Sequence, residues 1–160
     1  MKNKLNSKYM QLAIKEASKN LQNLDGGPFG ACIVKKNKVL AVARNTVLKD
    51  NESSAHAEVN AIRQASKVLK SFNLSGCTIY TTTEPCPMCF SAIHWSRINI
   101  IVYGTNIADA KKRGFNELAI SSARMKALGK SKIGIHHRYL REECLELFRN
   151  WDKLNKKILY

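Results

Sequence analysis

The chain reads as an α/β protein built in layers. Apolar residues at helical spacing alternate with short strand-like apolar runs along all 160 residues, and no linker, internal repeat or low-complexity tract interrupts them. The expected organisation is one domain over residues 1–160, large enough to bury a core without disulfide or metal staples.

Each element has a local reason. Met10, Ala13, Ile14, Ala17 and Leu21 recur at helical spacing and predict a first amphipathic helix, broken by Gly26-Gly27-Pro28. Two strands follow, Phe29 to Val34 and Val39 to Val47, joined by the polar turn Lys35 to Lys38. The continuous apolar core of the first suits a strand covered on both faces. A second helix is expected from about His56, capped by Ser53 or Ser54, with a buried stripe of Ala61, Ile62, Ala65, Val68 and Leu69. Gly76 to Thr83 reads as a third strand. Pro87 opens a third helix, at a position where its missing N–H costs nothing. Then come a strand from Ile98 to Gly104, a short helix from Ile107 to Arg113, an irregular segment and a strand around Lys132 to His136. Leu140, Cys144, Leu147, Phe148 and Trp151 mark a closing amphipathic helix.

Composition narrows the class. The start, Met1-Lys2-Asn3-Lys4-Leu5-Asn6, is basic but has no apolar run behind it, which argues against a signal peptide. No stretch approaches the roughly 18 apolar residues of a bilayer span. A cytoplasmic protein without membrane contact is expected. Of five cysteines, Cys32, Cys77 and Cys144 lie in apolar segments as inert buried thiols, which fits a reducing compartment. The net charge of +15 would attract phosphates. Its lysines are spread along the whole chain, however, with only short clusters such as Lys35-Lys36 and Lys111-Lys112-Arg113, and no basic–aromatic repeat accompanies them.

The chemistry lies in His56-Ala57-Glu58 and Pro85-Cys86-Pro87-Met88-Cys89, which read H-x-E and P-C-x-x-C. Together they offer one imidazole and two thiolates to a zinc ion and leave a carboxylate over to carry protons. Catalytic zinc keeps three protein ligands and an open position, whereas structural zinc is closed by four. Either piece alone is ambiguous: C-x-x-C also serves redox pairs and half-sites of structural zinc, with His136 or His137 as fourth ligand. Both motifs fall at expected helix starts, where unpaired N–H groups favour thiolates and carboxylates. One condition follows for the structure. At i, i+2, His56 and Glu58 would diverge by about 200° inside a helix, so they serve one site only if the helix end aims into it.

These motifs, with Gly26-Gly27-Pro28-Phe29-Gly30-Ala31, Asn45 and Thr83-Glu84 before the cysteines, resemble the cytidine deaminase superfamily of zinc-dependent nucleobase deaminases. Within it they are most similar to the bacterial guanine deaminases and the plant guanosine deaminases, from the first helix to about Gly114. The resemblance implies a three-layer sandwich, with a mixed five-stranded sheet flanked by helices. It also implies one Zn²⁺ per subunit on His56, Cys86 and Cys89, Glu58 as proton carrier, Asn45 bonded to the base and Phe29 walling the pocket. On the residues alone, Phe29 is equally a core aromatic; Asn45 is open to a strand-ending role, but a polar residue inside this apolar run favours the site.

Two further segments bear on substrate. Where the guanine-type enzymes carry Gly-Phe and two aspartates, this chain has Gly114-Phe115-Asn116-Glu117, so Glu117 is expected in the base-contacting role. The final Lys156-Lys157-Ile158-Leu159-Tyr160 resembles the family's aromatic tail, which implies that Tyr160 closes the pocket and that the tail is exchanged between subunits of a homodimer. The apolar closing helix is consistent with such a dimer. The expected reaction is hydrolytic deamination of a small purine, guanine or a relative such as guanosine, releasing ammonia. The alternatives are adenosine deamination in a tRNA anticodon loop, a cytosine- or cytidine-type activity, and a zinc-stapled binding module in which Glu58 is incidental.

Overall fold

The computed structural model describes residues 5–160. The segment Met1–Lys4, part of the basic start considered above, lies outside them. Five strands form one mixed sheet: β1 (Gly30–Lys35), β2 (Lys38–Arg44), β3 (Cys77–Thr83), β4 (Ile100–Thr105) and β5 (Gly134–His136), in the order β2-β1-β3-β4-β5. β1 runs antiparallel to both its neighbours, while β3, β4 and β5 are mutually parallel.

Alternation along the strands sorts side chains to two helical layers. Ala31, Ile33, Ile79 and Ile101 face α4 (Ala57–Leu69) and α5 (Pro87–Trp95). Cys32, Val34, Tyr80 and Val102 face α1 (Ser7–Ser18) and α8 (Arg141–Asp152). Both layers thus cover β3, every residue of which is buried. The expected three-layer sandwich with a five-stranded mixed sheet is what forms, and Cys32, Cys77 and Cys144 are buried free thiols.

Several local expectations change. The first helix is interrupted at Lys19 and resumes as one turn, α2 (Asn20–Asn23), because the Asn20 side chain turns to donate to the carbonyls of Gly27 and Asn45, both at 2.8 Å. β2 stops at Arg44, short of Val47. There Asn45 folds its side-chain oxygen back to accept from the Val47 N–H at 3.1 Å, which ends the ladder and starts the single turn α3 (Val47–Asp50). Neither Ser53 nor Ser54 caps α4; His56 itself is the N-cap residue, its carbonyl accepting from Asn60 N. Val68 is 56% exposed, since α4 lies on the sheet along Ala57, Ala61 and Ala65 and turns Val68 outward.

After α6 (Ile107–Lys111), the segment expected to be irregular contains α7 (Ser122–Leu128), whose N-cap Ser121 accepts from Arg124 N at 3.2 Å. The apolar face of α8, expected to suit a dimer interface, is spent inside its own chain: Cys144, Leu147, Phe148 and Trp151 are all buried. Among the described residues no helix is long and apolar enough to cross a membrane.

Candidate active site

Two helix starts meet at the C-terminal end of β3. His56 precedes α4 with φ −68° and ψ 155°, and Cys86 precedes α5 with φ −63° and ψ 167°. Both are extended N-cap residues, so neither obeys helical angular spacing. That resolves the divergence of His56 and Glu58: the first lies outside the helix, the second in its first turn, and both point to one place. Pro87, at the first helical position, makes the turn from Cys86 into α5 without losing a hydrogen bond.

The donor set is compact. Nδ1 of His56 lies 3.7 Å from Sγ of Cys86 and 3.5 Å from Sγ of Cys89, and the three side chains keep their ligand atoms within 4.8 Å of one another. His136 and His137 are exposed and do not join the cluster, so the fourth ligand of a closed structural site is absent among the described residues.

Electrostatics explains what such a set needs. Without a cation it carries its negative charge on Cys86, whose thiol is held down to about 4 by the hydrogen bond from Cys89, against the effect of burial and with help from His56. Cys89, hydrogen-bonded to that thiolate and buried, is pushed well up. Two thiols this close cannot both ionise unaided, and a divalent metal is what lets them. Two thiolates and an imidazole suit zinc, and three ligands are the catalytic number.

Glu58 is buried, and its Oε2 lies 3.5 Å from Cys89 Sγ. Burial is the main cause that raises its carboxyl to about 6. A carboxyl in that range can both accept and release a proton near neutrality.

Above these groups opens a cavity of about 260 Å³. His56, Glu58 and Cys86 form its floor, with Phe29, Asn45, Phe115, Glu117 and Tyr160 around it. All the residues expected at the site converge there; Cys89 sits just behind the lining, fully buried. Phe29 meets Phe115 edge-on at 4.9 Å between centroids, so it is both a pocket wall and a core aromatic. The Tyr160 hydroxyl donates to Asn45 Oδ1 and accepts from Gly27 N–H, both at 2.7 Å, and Asn116 N–H donates to the Tyr160 carbonyl. The tail thus docks on the pocket of its own chain.

Gly26 is required here: a Cβ would collide with the Asn45 amide oxygen. With Oδ1 already accepting from Tyr160 and Val47, Asn45 has its Nδ2 donor left, with no partner among the described residues. The half-buried Glu117 carboxylate likewise accepts no hydrogen bond among them. Burial, and then Cys86, raise it to about 7.

Residues 3–105 match the cytidine and deoxycytidylate deaminase zinc-binding region. The chain belongs to that family. It is a zinc-dependent aminohydrolase, and the donor set fits the zinc the family implies. Guanine deaminase of Bacillus subtilis is 38% identical over 93% of this chain and 96% of its own. A tRNA-specific adenosine deaminase of Buchnera aphidicola is 35% identical over 98% of this chain and 99% of its own. Among solved structures, the guanine deaminase of Nitrosomonas europaea superposes with a TM-score of 0.84 at 27% identity, covering 94% of this chain and 86% of that one.

The deaminase pocket holds residues that sequence reasoning missed. Val47, Ser53, Thr83 and Glu84 also line it. Of these, Thr83 and Glu84 left a signal as the pair directly before the Pro-Cys motif, though without a role assigned to either. Thr83 ends β3, Val47 opens α3 and Ser53 lies in the turn before α4.

Proposed function

We propose that this chain hydrolyses the exocyclic amino group of a free guanine-type purine. The observation that carries this reading is the unpartnered, half-buried Glu117 carboxylate facing a pocket closed by Tyr160. A carboxylate there asks for a ring that presents N–H donors. Guanine has them at N1 and the 2-amino group; adenine N1 is an acceptor and would be repelled. Asn45 Nδ2 supplies a donor for a ring acceptor. None of the pocket-lining residues is lysine or arginine, so a phosphate would find no partner inside. At about 260 Å³ the cavity falls just below the usual range for ligand sites, about 300–1,000 Å³, which favours a base over a nucleotide.

His56, Cys86 and Cys89 hold the zinc, which when bound supplies Lewis acidity that brings water ionisation down to about pH 7. Glu58 takes the water proton and delivers it to the ring nitrogen beside the reacting carbon. It then takes the proton of the new C2 hydroxyl and passes it to the departing amine. A C–O bond forms at C2, the C2–N bond breaks, ammonia leaves and a carbonyl remains. Glu117 and Asn45 orient the ring, and Tyr160 excludes bulk water.

A second reading, adenosine deamination in a tRNA loop, is favoured by the charge of +15 and by the nearly full-length Buchnera relative. The two separate in a salt series, because RNA binding weakens steeply with salt and turnover of an uncharged base barely responds. We assign the exposed apolar residues Met88 and Trp95 of α5, Leu128 of α7, and Leu118 and Ile120 just before α7 to a homodimer face. Trp95 is 80% exposed, so Trp95→Glu should shift sedimentation to monomer; an unchanged dimer would refute that face. Ammonia release from guanine, and none from adenine, tests the substrate assignment.

A further inference from the structure

Glu84 is a buried carboxylate that no step above uses. It is 7% exposed and stands two residues before Cys86. Its Oε1 accepts from Ser122 N–H at 2.8 Å and from the Tyr103 hydroxyl at 3.4 Å, and its Oε2 accepts from Ile107 N–H at 3.2 Å. Its own N–H donates to Thr105 O at 2.8 Å, and the neighbouring Pro85 carbonyl accepts from Ser122 Oγ at 3.2 Å. Ile107 and Ser122 are the first residues of α6 and α7. Between them runs the segment that carries Phe115, Asn116 and Glu117 to the pocket wall. One carboxylate therefore holds both ends of that segment and is only two residues from the metal ligand Cys86.

We infer that Glu84 is a positioning residue that fixes the distance between the metal ligands and the Glu117 wall, and so sets substrate recognition through Glu117. An ionised carboxylate is the group that can accept at both oxygens. Glutamine at this place offers one accepting oxygen and a donating NH₂, which must face either Ile107 N–H or Ser122 N–H. One end of the segment is then released while volume and burial are kept. The effect on recognition rests on the guanine-type reading; the clamp itself does not.

The test has two arms. In the zinc-loaded protein, Glu84→Gln should raise KM for guanine about tenfold, through one lost charge-assisted bond, with kcat and zinc stoichiometry little changed. In a Glu117→Ala background the same substitution should cost less than about twofold, because the group it positions is gone. Additive effects would make Glu84 a merely structural residue and overturn the inference.

The second arm needs no substrate. Amide exchange across residues 113–121 should quicken on the order of tenfold in Glu84→Gln while β3 stays protected. Unchanged exchange overturns the clamp. If wild type ignores guanine yet exchange responds, the guanine reading fails and the clamp stands.

If Glu84→Gln does not fold, Ser122 decides. Ser122→Pro removes the N–H that Glu84 accepts, at a first helical position where proline is tolerated, and Ser121, at φ −66° and ψ 153°, already has the backbone that a following proline requires. Ser122→Ala removes only the hydroxyl. Faster exchange in the proline variant than in the alanine variant supports the clamp, and equal exchange overturns it.

Discussion

The metal corner and the substrate wall of this pocket are built in opposite ways. The corner comes from two short motifs, each held by its own helix start, with His56 and Cys86 in the same extended N-cap geometry. The wall comes from four distant stretches: Phe29 before β1, Asn45 after β2, Phe115 to Glu117 after α6, and Tyr160. Local backbone rules place the corner. Tertiary hydrogen bonds place the wall, through Tyr160 to Asn45, Asn20 to Gly27 and Asn45, and Glu84 to Ile107 and Ser122. Chemistry common to a family resides in the first kind of construction, and the choice of substrate in the second.

If this contrast is right, damage to the corner should abolish the reaction and damage to the wall should redirect or weaken it. Cys86→Ala should lose both zinc, read by elemental analysis, and turnover; full metal retention would break the assignment. Glu58→Gln should keep zinc and lower kcat by about 10²- to 10⁴-fold, the scale of a lost general acid–base.

On the wall, Tyr160→Phe removes a hydroxyl with two hydrogen bonds and should raise KM roughly tenfold with kcat nearly kept. Unchanged kinetics would remove Tyr160 from the pocket's closure.

The smallest effect concerns pH. Glu117 sits at about 7 in the fold against an ordinary 4.5, mainly through burial, so the folded state binds its proton more tightly than the unfolded chain does. Stability from this group is therefore greatest at low pH and is lost as pH rises from about 4.5 to 7. Glu117→Gln should flatten the Tm-against-pH curve there relative to wild type. Parallel curves would mean that Glu117 is not desolvated.

The same contrast explains what the sequence could disclose. The H-x-E and P-C-x-x-C motifs, the amphipathic helices and the alternation of strand and helix were legible because each depends on near neighbours. The end of β2 was not, because Asn45 stops the strand by bending its side chain onto Val47 N and is held from behind by Asn20. Nor was α7, a short helix whose start is tied to Glu84, 38 residues earlier. Val68 fits the helical period but lies beyond the edge of the alanine stripe that meets the sheet. Glu117 and Tyr160 were legible as wall residues only through family resemblance, since no local spacing connects them to His56.

The most direct test is ammonia release by the zinc-loaded protein from guanine, guanosine, cytosine, cytidine and adenine, beside an adenosine-containing tRNA anticodon stem-loop. Release from guanine, abolished by Glu58→Gln and weakened by Glu117→Gln, is the predicted result. Turnover of the stem-loop alone would contradict the free-purine account and make the basic surface the better guide to substrate.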